Sequence, residues 1–382
     1  MENDFARAMR LSLQKTHAAN PLEATRIIQE ALGGGLGQPT PAPASPAPSG
    51  RLAGPPRRAD RVEDAEILGT VPPRRRPFGQ VVDGLAMRPR GLDLRPRQAR
   101  PAPAIPAGAR FETATHDCRH GSRAYRLYTP SPAAGPVRGV VMMLHGCTQS
   151  PEDFATGTAM NRHAEAHGLV VIYPEQPRAA NQNLCWNWFR PSDQTDAAGE
   201  PAILADMART VATRVGAPEG RIFVAGLSAG GAMAAILGRT HPQVFAAVGV
   251  HSGLAPGSAS DMISAFAAMR GNGAAPSGGP VLPTIVFHGL ADPTVAAANG
   301  RAVAGRICDP VGRQVGASGK GAAVTAGTSP AGHALELWEV PGGGHAWFGG
   351  DAAGSYTDPT GPDASAEMVR FFLQSPGGPT QG

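Results

Sequence analysis

The chain has 382 residues, 42% of them hydrophobic and 17% charged, with a formal net charge of +4, a length that holds one large domain with extra material, or two domains. No run is long and apolar enough to cross a bilayer, and the four cysteines (Cys118, Cys147, Cys185, Cys308) match no zinc spacing. The small charge excess gives no argument for a nucleic-acid partner, and none is expected.

Residues 1–32 read as a helical hairpin. Asn20-Pro21-Leu22-Glu23 has the cap, first-turn proline and early acid of a helix start. Ala24, Ile27, Ile28, Ala31 and Leu32 then share one face, with Phe5, Met9 and Leu13 as a facing stripe. So short a unit needs something to pack on: the following domain, a second copy, or an external surface. Residues 33–106 are rich in Pro, Gly, Ala and Arg without apolar periodicity, and read as a disordered linker. Its arginines are interspersed with Asp60, Glu63, Asp64 and Glu66, which favours a solvated linker over a nucleic-acid arm. The acidic start Met1-Glu2-Asn3-Asp4 is not followed by the apolar core of a secretory signal, so the residues alone point to the cytoplasm.

From residue 107 the pattern changes. Phe111–Thr115 and Tyr125–Tyr128 suggest an opening antiparallel pair. Strand-like runs follow at Val140–Leu144, Leu169–Tyr173, Ile222–Val224, Ala246–Val250, Thr284–Phe287 and Leu335–Val340. Helical segments such as Ala202–Val215 and Val295–Ile307 lie between them. Alternating strand and helix predicts an α/β domain over 107–375, a mostly parallel sheet with helices on both faces, and a disordered tail over 376–382.

One pentapeptide stands out. Gly226-Leu227-Ser228-Ala229-Gly230 sits between an apolar strand and a run of small helix formers, the context of a nucleophile elbow in the α/β-hydrolase fold. The sharp turn requires flanking residues without bulk. A serine nucleophile needs a base, and the base needs an orienting carboxylate. Asp292 follows the strand Thr284–Phe287 in a turn-rich loop, where open α/β sheets gather their sites. His345 follows three glycines after the strand Leu335–Val340. Asp261 and Asp309 are weaker acids, because neither follows a convincing strand. His251 and His288 end strands at the same edge and read as packing or supporting groups. The oxyanion donors are expected to be the amides of Ala229 and of Cys147, the latter in the turn after Val140–Leu144. Trp186, Trp188 and Trp347 flank these loops as candidate walls of a substrate groove, with core packing as the competing reading. Cys147 and Cys185 both lie in these loops; a disulfide between them is open, with free thiols expected in a reducing compartment.

These residues resemble a known family. Leu144-His145-Gly146-Cys147-Thr148-Gln149, Cys185-Trp186-Asn187-Trp188-Phe189, Ala225 to Gly231, His288 to Asp292, Gly344-His345-Ala346-Trp347 and Gly354 to Pro359 are together similar to the polyhydroxybutyrate depolymerase family of esterases. The feruloyl and acetylxylan esterases neighbour that family. The resemblance spans about residues 110 to 374. It implies a serine esterase acting through an acyl-enzyme on polyester or oligomeric hydroxyacid esters, with Ser228, Asp292 and His345 as nucleophile, acid and base, and Cys147 in the oxyanion loop. It implies no metal and no cofactor. It also opens a secreted location, as in many relatives, and a polymer or granule surface as partner of the N-terminal region. A feruloyl- or acetylxylan-type esterase is the alternative, and a non-catalytic granule- or polymer-binding protein a further one.

Overall fold

The computed structural model describes residues 102–275, 278–316 and 320–377. The expected hairpin over 1–32, the linker up to residue 101 and the tail from 378 lie outside the described residues.

Ten strands form one sheet. They are β1 (Arg110–Cys118), β2 (Gly121–Thr129), β3 (Gly139–Leu144), β4 (Leu169–Pro174), β5 (Ile222–Leu227), β6 (Ala247–His251), β7 (Thr284–Gly289), β8 (Cys308–Val315), β9 (Ala322–Thr328) and β10 (Ala334–Val340). Their order is β1-β2-β4-β3-β5-β6-β7-β10-β9-β8. The centre, from β4 to β10, is parallel; the β1–β2 and β9–β8 pairs at the two edges are antiparallel. A short parallel pair, β11 (Trp347–Phe348) and β12 (Thr357–Asp358), stands apart.

The central strands are buried on both sides, and that explains their composition. Every residue of β3 and β4 is buried, so the runs are continuously apolar rather than alternating. The pleat sends successive side chains to opposite faces. Val140, Met142 and Leu144 join one core with Val170, Ile172 and Val224. Helices α3 (Gly199–Arg214), α4 (Ala229–Thr240) and α6 (Ala298–Ala304) cover that face through Leu204, Met233, Ile236 and Val303. Val141, Met143, Val171 and Phe223 join the other core. There α1 (Pro151–Thr158), α2 (Met160–His167) and α7 (Ala364–Gln374) supply Phe154, Met160, Met368 and Phe372. A short helix α5 (Met262–Ala267) completes the set. This is the α/β-hydrolase arrangement expected from the residues.

Local chemistry sets the helix ends. Ser150 accepts from the Asp153 amide and is followed by Pro151, so α1 starts there. Asp363 does the same for α7 through the Ala366 amide. The segment expected as one helix over Val295–Ile307 is shorter. The Val295 amide bonds the Asp292 carboxylate instead, and Gly305, at φ +64°, ends α6. The edge pair β8–β9 was not expected. Pro310 and Gly312 dilute the strand pattern, β8 is mostly exposed, and its register shifts between Cys308 and Val311.

The Phe223 and Phe372 rings stack at 5.0 Å, locking α7 onto β5. Phe372→Ala should therefore cost about 3–5 kcal/mol in urea unfolding. Val311→Ala, at an exposed position of β8, should stay within about 0.5 kcal/mol.

Candidate active site

After β3 the chain passes to β4 on one side, then returns to lay β5 on the other side of β3. The carboxyl ends of β3 and β5 therefore flank a crevice, the place where open α/β sheets receive ligands. Ser228 is the first residue beyond β5 and the N-cap of α4, with φ +57° and ψ −118°. A non-glycine residue rarely takes such a conformation, and here the surroundings enforce it. A Cβ on Gly230 would lie 2.0 Å from the Leu144 carbonyl oxygen and 2.6 Å from that of His145. A Cβ on Gly226 would lie 2.4 Å from Gly230. Only glycines let the elbow close onto β3 this tightly. The Ser228 amide donates to the His251 carbonyl at 2.9 Å, fixing the turn against β6. A serine at an N-cap ordinarily accepts from its own helix; the Ser228 hydroxyl makes no such cap.

The loop after β3 lies beside this turn. A Cβ on Gly146 would be 3.7 Å from the Ser228 Cβ. Gln149 holds the loop: its Oε1 accepts from the Gly146 amide at 2.9 Å, and its Nε2 donates to the Ser355 carbonyl at 3.0 Å. Ser355 in turn bonds Asp153 through its amide and hydroxyl. The Thr148 amide donates to the Asn183 carbonyl at 2.8 Å. That leaves the Cys147 and Ala229 amides with no acceptor among the described residues, as an oxyanion hole requires. His145 packs beneath. Its Nε2 accepts from the Gln176 amide, so its Nδ1–H donates to the Gly146 carbonyl. Burial pushes this imidazole down to about 4.

The loops after β7 and β10 carry the other two residues. His345 Nδ1 donates to Asp292 Oδ2 at 2.7 Å. Asp292 Oδ1 accepts from the Thr294 and Val295 amides at 2.8 and 2.9 Å. The carboxylate has no exposed surface. Burial raises it, but the hydrogen bonds from His345 and the two amides outweigh that and hold it below the usual carboxylate range. A close approach aligns the loops: a Cβ on Gly289 would be 2.3 Å from the Gly343 carbonyl oxygen. The Asp292–His345 pair is thus formed. Among the described residues the Ser228 hydroxyl has no hydrogen-bond partner, His345 Nε2 included.

The supporting histidines fall where expected. His288, buried, donates through Nε2 to the Val295 carbonyl at 2.9 Å and lies 3.7 Å from Asp292 Oδ2. His251 accepts from the Phe348 amide and stacks between Phe287 and Trp347. Burial lowers both imidazoles, so both rings stay neutral. Asp261 caps α5 and Asp309 lies in β8, away from this pairing.

Two expectations are corrected. Cys147 and Cys185 form a disulfide rather than free thiols. The loops meet because the Thr148–Asn183 bond draws them together. The three tryptophans are core residues, not groove walls. Trp186, Trp188 and Trp347 are 0%, 6% and 1% exposed. Trp186 donates to the His145 carbonyl and Trp347 to Ser365, which satisfies those two indoles inside the core. The exposed apolar groups near the loops are instead Leu290, two residues before Asp292, and Tyr356, whose hydroxyl lies 3.3 Å from that of Thr148. Neither was singled out in the sequence, although Tyr356 sits within a family-like segment. The Gln149–Ser355–Asp153 brace was also missed, because its members lie about 200 residues apart.

A family model described as "Esterase PHB depolymerase" matches residues 123–322, more than half of the chain. The chain belongs to the esterase PHB depolymerase family. This chain is 33% identical over 183 residues to a poly(3-hydroxyalkanoate) depolymerase C of Paucimonas lemoignei, covering 44% of this chain and 43% of that protein. It is 31% identical over 134 residues to feruloyl esterase B of Neurospora crassa, covering 34% and 44%. It is also 31% identical over 132 residues to a probable acetylxylan esterase A of Neosartorya fischeri, covering 34% and 35%. The matched segments span less than half of each of these relatives.

Removing the disulfide, by reductant or by the pair Cys147→Ser and Cys185→Ser, should lower stability by about 2–4 kcal/mol, read by urea unfolding. Acid should act separately. Below about pH 6.5 the unfolded chain takes up protons that buried His145, His251 and His288 refuse. Stability is then complete above that pH and falls toward pH 4, by up to about 1.4 kcal/mol per pH unit for each ring. A flat urea midpoint between pH 7 and 5 would show that these rings are charged in the folded state.

Proposed function

We propose that this chain is a serine carboxylic-ester hydrolase whose nucleophile, base and acid are Ser228, His345 and Asp292. The observation that carries the reading is Ser228 itself: a serine held in a strained turn with its hydroxyl unspent, at the same carboxyl edge of the sheet as the loops that carry a formed His–Asp pair. His345 Nε2 takes the hydroxyl proton as Ser228 Oγ attacks the ester carbonyl. The Cys147 and Ala229 amides receive the oxyanion. His345 then protonates the leaving alcohol, and water releases the acid from the acyl-enzyme. Asp292 keeps the Nδ1 proton in place throughout. The serine–histidine hydrogen bond is one that often tightens only when substrate is bound.

The substrate class we favour is esters of short 3-hydroxy acids, as polymer or oligomer. The family and the likeness to a poly(3-hydroxyalkanoate) depolymerase support it. The likeness to feruloyl and acetylxylan esterases supports a second reading with the same machinery. The Cys147–Cys185 bridge favours an oxidising compartment over the cytoplasm expected from the N-terminal residues. No described helix is long and apolar enough to cross a membrane. Recruitment of a polymer or granule surface is assigned to residues 1–106.

The test is turnover of a p-nitrophenyl short-chain ester. Ser228→Ala should lower it by roughly 10⁴-fold or more; unchanged turnover would remove the enzyme reading. Product analysis divides the substrates, with 3-hydroxybutyrate supporting the first and ferulate or acetate the second.

A further inference from the structure

A second cluster of chemically active side chains lies at the sheet edge, where the β1–β2 hairpin meets α3. His116 and Cys118 are two apart on β1, so the pleat turns both to the same face. Asp206 reaches them from α3, with its Oδ1 2.8 Å from His116 Nε2. One ligand atom from each of the three lies within 4.8 Å of the other two. His116 is nearly buried, while Cys118 and Asp206 are half-exposed. Cys118 is a free thiol whose Sγ–H points to the Gly121 carbonyl at 3.4 Å.

We infer that His116, Cys118 and Asp206 form a binding site for a zinc-class divalent cation, with water as fourth ligand. Imidazole, thiolate and carboxylate together are a donor set for a borderline-soft ion and a poor one for calcium or magnesium. Tetrahedral coordination puts ligand atoms roughly 3.3–3.6 Å apart. The present spacing therefore needs side-chain adjustment but no backbone rearrangement. On binding, the Cys118 thiol proton leaves to solvent and the metal–sulfur bond forms; the His116 Nε2 proton shared with Asp206 is given up to solvent while Nδ1 carries the ring's remaining proton, and the hydrogen bond gives way to two metal bonds. Arg209, 3.5 Å from Asp206 Oδ2, keeps its hold on the oxygen that the metal does not need.

The consequence is mechanical. The β1–β2 tip is close-packed on α3: a Cβ on Gly121 would sit 3.0 Å from Ile203. A metal at His116, Cys118 and Asp206 would pin that tip to the helix and stiffen the sheet's edge. The sequence hides such a site. His116 and Cys118 have a single residue between them and Asp206 is far along the chain, which matches no linear zinc pattern. The inference does not rest on the hydrolase reading, because none of these residues belongs to the proposed catalytic set.

Cobalt(II) is the probe. The full chain, stripped with chelator, is titrated with Co²⁺ and followed by thiolate-to-cobalt charge-transfer absorption in the near ultraviolet. One ion per chain should bind with that band, and the melting temperature should rise with it. The band should vanish in Cys118→Ser, and affinity should fall by at least roughly tenfold in Asp206→Asn. Cys308→Ser, which removes the other free thiol among the described residues, should retain the band. Circular dichroism without metal should show each variant folded. If Asp206→Asn is unfolded without metal, His116→Gln takes its place with the same expected loss. Absence of the band, its survival in Cys118→Ser, or its loss in Cys308→Ser would overturn the inference.

Discussion

The contact on which this site depends is the approach of Gly230 to the Leu144 and His145 carbonyl oxygens. It brings the start of α4 against the end of β3 at a distance that no side chain permits. Three things follow from that one approach. Ser228 is forced to positive φ. The Ala229 amide is left at the free end of a helix, where the partial positive charge of the backbone favours an oxyanion. The Cys147 amide is brought to the same crevice from the neighbouring strand. The parallel pairing of β3 with β5 supplies the frame, and the glycines let it close.

The second half of the site is built differently. Asp292 and His345 come from loops after β7 and β10, which are neighbours in the sheet though distant in the chain. Their alignment rests on another glycine approach, Gly289 to Gly343. The carboxylate is buried and its second oxygen is occupied by two amides, so it has one direction left in which to accept. That fixes the ring of His345 more firmly than a solvated carboxylate would. His251, stacked in the core, ties this half to the elbow. Its carbonyl holds the Ser228 amide and its ring holds the Phe348 amide.

The parts of this protein legible in its sequence are those set by local rules. The central strands read as strands because burial on both faces makes them continuously apolar. The strained turn at Ser228 is legible because it needs small neighbours, and the strand-end positions of Asp292 and His345 because each follows a strand in a glycine-rich or turn-rich loop. What was not legible depends on distance. Nothing in the chain around Gln149 announces Ser355. The tryptophans misled because a motif loop and a core can share the same residues; only burial distinguishes them. The disulfide is not legible because it forms where two loops meet in the fold, a meeting that the N-terminal residues do not reveal. The β8–β9 edge was missed because edge strands tolerate the prolines and glycines that elsewhere break a strand.

The link between Cys147 and Cys185 has one more consequence. It makes the turn carrying the unpaired Cys147 amide and the stretch carrying Trp186 and Trp188 into a single cross-linked unit, anchored in the hydrophobic interior. Movement of either loop is therefore coupled to the other and to the core behind them. The apolar side chains that face solvent on the neighbouring loops, Leu290 and Tyr356, lie outside that linked unit. Tyr356 still meets it through the contact between its hydroxyl and that of Thr148, so the two solvent-facing positions are unequal: only Leu290 is clear of the braced loop.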